Sequence, residues 1–364
     1  LIVKNPDIPG YSPWLALARK QRVPVTTDLG IFFQHCPATI IGVTGTRGKS
    51  TTSFLIWKFL KTKYRRVFLG GNIRKSVLDF LDELKKDDIV VLELSSFQLR
   101  DLADDRVSPR IAVFTNIYRD HLNKHKDMRD YVRAKSVIFK FQKETDFLFA
   151  NDKDSVVRAA AKHAPGKVVF PTASRRLARL VKKKLGKHFM ASVGLAAAVA
   201  RHFGVSQTHM RAVLQRFKTL EGRQQEIAKI RGVHVINDTT STIPDATIAA
   251  LQRFRPLAGK HDLILIAGGT DKKLRFGELA HAIKRYADRI ILLPGTATDQ
   301  LMRHLQPLGV AAELADSLHE AVAKAVRSAR SGDYIVFSPG ATSFGMFRNE
   351  FDRGEQFVKT IAKL

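Results

Sequence analysis

Residues 41–52 read Ile-Gly-Val-Thr-Gly-Thr-Arg-Gly-Lys-Ser-Thr-Thr, and they hold the side chains best suited to chemistry. An apolar run (Ile40, Ile41, Val43) meets a turn containing Gly45 and Gly48. A helical pattern then begins near Lys49 and continues through Phe54, Leu55, Trp57 and Leu60. Glycines let a backbone turn its N–H groups onto phosphate oxygens, and a helix N-terminus adds positive potential. Gly45, Thr46, Arg47, Gly48, Lys49, Ser50 and Thr51 therefore read as a phosphate-binding loop. Lys49 reaches the terminal phosphates and Ser50 holds Mg2+. The usual G-x-x-x-x-G-K-[ST] spacing is altered, because Val43 stands where the first glycine belongs and Gly45 comes inside the loop. A second group starts at Glu93, which closes the apolar run Ile89-Val90-Val91-Leu92. An acidic residue at the C-terminal end of a buried strand lies on the ligand-binding edge of a parallel sheet, where it can hold Mg2+ opposite the loop. His121, beside Asp120 and shortly after the strand ending Thr115-Asn116, is a further candidate ligand; alone it would read as an ordinary packed histidine.

The elements that must position these groups alternate along the chain. Strands are expected over 39–44, 66–69, 88–94, 110–115 and 146–150, with helices over 50–62, 74–85, 128–141, 154–162 and 188–203. Such alternation implies a mainly parallel sheet covered by helices. A second α/β series follows, with strands at 233–236, 262–267, 289–293 and 333–337 and helices at 244–254, 276–287, 316–330 and 349–363. The boundary is expected near Gly222, after a helix over 208–218. Residues 1–35 read as a tail and connector broken by Pro6, Pro9, Gly10 and Pro13, with a short helix from Trp14 to Lys20. The expected class is α/β: a P-loop domain over 36–221 and a Rossmann-like domain over 222–364.

The 364 residues are long for one core and imply two or three domains. A hydrophobic share of 45% excludes a disordered chain. No apolar run is long enough to cross a membrane, and no signal-peptide pattern is present. One cysteine, Cys36, excludes an internal disulfide and a Cys-based metal cluster, so we expect the cytoplasm. The chain starts with Leu rather than Met, and we expect further sequence before residue 1. Lys and Arg number 61 against 34 Asp and Glu, a net charge of +27. Two basic clusters stand out: Lys61, Lys63, Arg65 and Arg66, then Arg175, Arg176, Arg179, Lys182, Lys183, Lys184 and Lys187. Such a balance attracts anions. We read the clusters as solvated helix faces ahead of a nucleic-acid site, since no zinc-finger spacing or aromatic RNA-binding motif accompanies them.

These motifs together resemble the Mur ligase family. The resemblance rests on Gly45-Thr46-Arg47-Gly48-Lys49-Ser50-Thr51, Leu92-Glu93-Leu94-Ser95-Ser96-Phe97-Gln98-Leu99 and Asn116-x-x-x-Asp120-His121. Asn5-Pro6-Asp7-Ile8-Pro9, Gly70-Gly71-Asn72-Ile73, Asn237-Asp238 with Pro244-Asp245-Ala246-Thr247, Gly268-Gly269-x-Asp271-Lys272 and Ser338-Pro339-x-x-x-Ser343-Phe344 extend it nearly end to end. It is nearest to the branch that adds D-glutamate to UDP-N-acetylmuramoyl-L-alanine in peptidoglycan precursor synthesis. The resemblance implies three domains, with residues 1–35 a remnant of the first, UDP-binding one. It implies ATP-dependent amide formation through an acyl phosphate, with two Mg2+ ions. Ser50 and Glu93 would hold the first ion and His121 the second. Lys135 matches a lysine that the family carbamylates, giving an anion beside the metal. Arg223 would contact the γ-phosphate, Asp271 the ribose, and Asn237 belongs to the nucleotide side of the C-terminal domain. Asn72 would meet the sugar-peptide substrate. Ser343 and Phe351 match D-glutamate positions, and Lys272 joins them as a substrate-binding candidate. A monomer is expected.

The chain departs from the family pattern in three places. His188-Phe189-Met190-Ala191-Ser192 lacks both asparagines of His-Asn-x-x-Asn, Thr239-Thr240-Ser241-Thr242-Ile243 replaces Ser-Lys-Ala-Thr-Asn, and Arg74 replaces a glycine. Phe189 is expected to make an apolar helix contact rather than to stack on adenine. Two other functions stay open at this point: an amide ligase of the folylpolyglutamate type, and a non-catalytic relative that binds anions or nucleic acid.

Overall fold

The computed structural model describes residues 1–6, 8, 12–73, 76–122, 124–172 and 174–364. The expectations placed on Asp7, Pro9, Gly10 and Arg74 lie outside the described residues. The chain divides into two compact units, Leu1–Arg119 with Lys124–Phe217, and Asp120–Asn123 with Lys218–Leu364.

The first unit runs β1 (Ile2–Val3), α1 (Pro13–Lys20), β2 (Val25–Thr26), α2 (Asp28–His35), β3 (Thr39–Thr44), α3 (Lys49–Leu60), β4 (Val67–Gly71), a 3-10 turn (Leu78–Glu83), β5 (Ile89–Glu93), α4 (Ser96–Asp105), β6 (Ile111–Phe114), α5 (Met128–Lys140), β7 (Phe147–Ala150), α6 (Ser155–Ala161), β8 (Lys167–Val169), α7 (Arg175–Lys184), α8 (Met190–His202) and α9 (Gln207–Arg216). Strands β3 to β8 form one parallel sheet in the order β4-β5-β3-β6-β7-β8. Successive side chains of a strand point to opposite faces, so a strand covered on both sides must be apolar throughout. Accordingly Ile41, Val43, Val91, Val113 and Phe149 pack against α3, α7, α8 and α9. Ile40, Val90, Leu92, Ala112, Phe114 and Leu148 pack against α2, α4, α5 and α6.

Two expectations change here. Within the described part of the expected 74–85 helix the only helical segment is the 3-10 turn, which buries Phe80 and is flanked by buried Val77 and Leu84. A run this short gains little from i→i−4 bonding and tightens instead. Residues 1–35 are also more than a tail. Leu29 and Phe32 of α2 are fully buried, and Phe32 meets Phe80 edge-on at 5.8 Å.

The second unit runs β9 (Gln225–Ile230), β10 (Val233–Asn237), α10 (Pro244–Ala258), β11 (Leu263–Gly268), α11 (Gly277–Tyr286), β12 (Arg289–Leu293), α12 (Thr296–Leu305), β13 (Glu313–Leu314), α13 (Leu318–Ser328), β14 (Tyr334–Phe337) and α14 (Glu350–Ile361). Its sheet has the order β13-β12-β11-β14-β10-β9. All pairs are parallel except β9 with β10. That antiparallel edge was not foreseen. Arg231 and Gly232 both take positive φ (47° and 85°), the conformation a two-residue hairpin needs. Helices α10, α11 and α12 cover one face, and α13 and α14 the other.

Candidate active site

In the first unit the candidate residues collect at the C-terminal ends of three adjacent strands, β4, β5 and β3, with Lys135 reaching them from α5. The loop after β3 is fixed by the strand beside it. Asn116 O accepts from Thr46 N at 2.9 Å, and Asn116 Oδ1 accepts from Arg47 N at 2.8 Å. Arg47 O in turn accepts from Thr115 Oγ1 at 2.6 Å and from Asn116 Nδ2 at 3.0 Å. The space is close enough to demand glycine at position 45: a Cβ there would come within 1.9 Å of Thr115 Oγ1, and φ is +144°. Gly48 caps α3 in the left-handed region (φ 75°), with Ser192 of α8 beside it. Lys49, Ser50 and Thr51 thus open α3, and the Lys49 ammonium folds back onto Thr46 O at 3.1 Å.

Glu93 lies in register with Val43, two positions before Gly45. It is buried, and its Oε1 accepts from Asn72 Nδ2 at 3.3 Å while Oε2 has no hydrogen-bond partner among the described residues. A buried carboxylate oxygen left without a donor costs stability unless a cation completes it. Lys135 of α5, 2% exposed, donates from Nζ to Gly45 O at 2.9 Å. The structure therefore brings the loop, Asn72, Glu93 and Lys135 to one edge. Among the described residues no three His, Cys, Asp or Glu side chains converge as a metal cluster.

One group here escaped sequence reasoning. His125 is buried, with Nε2 at 3.0 Å from Ser96 Oγ and Nδ1 at 3.3 Å from Asp130 Oδ2. Its ring stacks on Phe97 at 5.5 Å and lies 5.1 Å from Tyr131. Tyr131 carries Lys135 Nζ 4.9 Å over its ring and bonds Thr46 through its hydroxyl at 3.2 Å. His125 thus ties the start of α4, just past Glu93, to the helix that carries Lys135. Burial pushes its pKa below the ordinary histidine value, although Asp130 pulls the other way. Nothing in its spacing marks it. Ser95, the N-cap of α4, forms a reciprocal capping box with Gln98.

His121 and the remaining candidates belong to the second unit. Asp120 Oδ1 meets Lys272 Nζ at 2.6 Å, and His121 Nε2 lies 3.5 Å from Asp120 Oδ2. Burial alone would raise the Asp120 carboxyl, but His121 and Lys272 outweigh it and hold it below the usual carboxylate range. Asp271 accepts from Leu274 N at 2.8 Å and Gln300 Nε2 at 2.9 Å. Thr270 and Thr342 pair through their backbones, which brings the Asp271–Lys272 loop beside Ser343. Ser343 is buried, and Phe351 is half-buried in the first turn of α14. Arg223 precedes Gln224, whose N–H donates to Asp238 Oδ1 at 3.0 Å. Asn237 is fully enclosed, with Oδ1 accepting from Thr239 N and Oγ1, while its Nδ2 has no hydrogen-bond partner among the described residues. Phe189 is buried in the first unit's core, as its apolar reading requires.

A model of the Mur ligase middle domain matches residues 43–202, and one of the Mur ligase glutamate ligase domain matches residues 222–340. The chain belongs to the Mur ligase family. It is an ATP-dependent amide-bond ligase of that family. This Mur ligase is 35% identical to the UDP-N-acetylmuramoylalanine–D-glutamate ligase of Roseiflexus sp. strain RS-1, over 99% of this chain and 84% of the relative. It is 33% identical to the enzyme of the same name from Borreliella afzelii strain PKo, over 100% and 83% of the two chains. Its fold matches that of the Thermotoga maritima MurF ligase in complex with ADP, with a TM-score of 0.68 at 18% identity over 92% of this chain and 82% of that one. E. coli FolC in complex with ADP matches with a TM-score of 0.64 at 15% identity, over 98% and 100%. At these identities the two structures speak to the fold alone.

Proposed function

We propose that this Mur ligase joins D-glutamate to UDP-N-acetylmuramoyl-L-alanine with consumption of ATP, as a monomer in the cytoplasm, in peptidoglycan precursor synthesis. The relatives support the choice of substrates, since those with about one residue in three identical over the whole chain carry that name. The observation that carries the chemistry is the edge where Lys135 touches the phosphate loop and Glu93 keeps one oxygen without a donor. A carboxylate attacking a polyphosphate meets like-charge repulsion, so the site must supply cations. Lys49 at the start of α3 provides one, and the loop N–H groups provide fixed partial charge.

The substrate carboxylate attacks the γ-phosphorus, ADP leaves, and the amine of D-glutamate then attacks the acyl phosphate, so that phosphate departs and the amide forms. The donor set fits Mg2+: Ser50 Oγ and Glu93 Oε2 would hold one ion, His121 would serve a second, and bound Mg2+ would neutralise phosphate oxygens. Carbamylated Lys135 would place an anion where the amine now meets Gly45 O. Arg223 would reach the γ-phosphate, Asp271 the ribose and Asn72 the sugar-peptide. Lys272, Ser343 and Phe351 would frame D-glutamate. Asn237 would shape the turn that carries Asp238 and Thr239 through Oδ1 and offer its Nδ2 to the nucleotide.

The test is phosphate release from Mg-ATP and UDP-N-acetylmuramoyl-L-alanine with D-glutamate, compared with a panel of other amino acids. Release with D-glutamate alone is expected. Release with another amino acid would keep the mechanism and change the product; no release from a folded protein would favour the non-catalytic reading.

A further inference from the structure

The two basic clusters of the sequence have no part in the chemistry above: the second lies along α7, and the first ends and follows α3 of the same layer, except that Arg66 turns away to pair with Asp88 over Phe68 of the opposite core. Helices α3, α7, α8 and α9 form a single layer over one face of the first sheet. From Arg175 to Phe217, the stretch that holds α7, α8 and α9, the chain has ten Lys or Arg and no Asp or Glu, and from Lys58 to Arg66 it has five and none. The acids of this unit lie elsewhere; α4, on the opposite face, carries Asp101, Asp104 and Asp105. Along α7, Arg175, Arg176, Arg179, Lys182, Lys183 and Lys184 are all exposed. Leu177 and Val181 of the same helix are buried in the core. Among the described residues no carboxylate forms an ion pair with any of those six cations. An acid-free helical face is a choice of placement, because a merely basic chain would scatter acids among its cations as the second unit does.

We infer that this helical layer docks on an anionic lipid bilayer surface. Each Lys or Arg near such a surface contributes roughly 1 kcal/mol, so a face with several cations on flexible stems suffices without a membrane span. Because α7 uses its apolar residues in the core, the attraction is electrostatic rather than insertion of an amphipathic helix. Single-stranded nucleic acid is the weaker fit because it asks for aromatic faces open to bases. The aromatic residue of this layer nearest the lysines, Trp57, has Lys58 and Lys61 each 4.8 Å over its ring, and its indole N–H donates to Val67 O.

The experiment is co-sedimentation of the full chain with phosphatidylcholine vesicles and with vesicles containing roughly one-third phosphatidylglycerol, across a salt series. Two variants with equal charge loss are compared. One carries Arg176→Gln, Arg179→Gln, Lys182→Gln and Lys183→Gln on α7; the other carries Lys260→Gln, Lys284→Gln, Arg303→Gln and Lys359→Gln on exposed positions of the second unit. Binding only to the anionic vesicles, weakened by salt and reduced at least about tenfold by the α7 variant but not by the other, is expected. An equal loss in both variants would reduce the effect to net charge. No vesicle binding, or displacement from vesicles by an equal charge of mixed-sequence RNA, would overturn the proposal. Phosphate release should be the same in all three proteins, which separates this outcome from that of the ligase assay.

Discussion

At the C-terminal edge of the first sheet, buried Glu93 keeps Oε2 without a donor among the described residues. At the same edge of the second sheet, buried Asp238 accepts from Gln224 N at 3.0 Å, Ser241 Oγ at 2.5 Å and Ser338 Oγ at 2.7 Å. Arg353, 1% exposed, likewise closes that region by donating to Thr239 O and Ala341 O. Burial pushes the Arg353 guanidinium down to about 10 despite Glu350 and Asp238 nearby. The two carboxylates are equally hidden, yet one is saturated by its own protein and the other is not. A satisfied buried acid stabilises a scaffold. An unsatisfied one is a standing cost that makes sense where a ligand completes it.

The comparison breaks most visibly at Lys49. Lys49→Ala is expected to lower ATP turnover on the order of 10²–10³-fold or more with little change in melting, since it removes charge stabilisation from the transferring group. Near-normal turnover would remove the loop from the mechanism. Next comes Lys135→Ala, expected to lose roughly 100-fold in activity and to recover part of it with formate or acetate. Full activity without added anion would leave Lys135 a structural residue.

The carboxylates themselves should respond with opposite signs. Asp238→Ala should cost about 2–3 kcal/mol in denaturant unfolding, because it strands three donors. Glu93→Gln should leave stability unchanged or raise it by about 1 kcal/mol while activity falls, because it removes an uncompensated charge. Loss of stability in both would erase the distinction.

The smallest effect concerns His125. Its folded-state pKa is depressed from 6.5 chiefly by burial, so the unfolded chain binds the proton more readily. Stability from the neutral ring is then complete above about pH 6.5 and is lost as pH falls through and below it. Melting followed from pH 8 to 5 should drop less steeply in His125→Gln than in the parent. The residual slope includes His202, whose pKa burial also lowers. Equal slopes would mean His125 is already protonated in the fold.

Much of this was legible in order along the chain. The strand, glycine turn and helix at 39–60 announced themselves because their pattern is local, and β3 and α3 begin and end within two residues of expectation. Helix α4 was missed, and α7 was read only as a solvated helix face without bounds, because Ser-Phe-Gln-Leu-Arg-Asp-Leu and Arg-Arg-Leu-Ala-Arg-Leu-Val carry few inward positions each, and tertiary contact supplies the rest.

By itself the sequence determined which residue types stand at the ends of which strands, and hence that a phosphate loop, an acid and a lysine were available. Only the tertiary structure decided their state of satisfaction. Whether Glu93 Oε2 finds a donor and whether His125 joins α4 to α5 depend on groups far apart in sequence. The segregation of cations onto one helical layer has the same origin: charge is written residue by residue, but a surface exists only after packing has chosen which sides of four helices face the core.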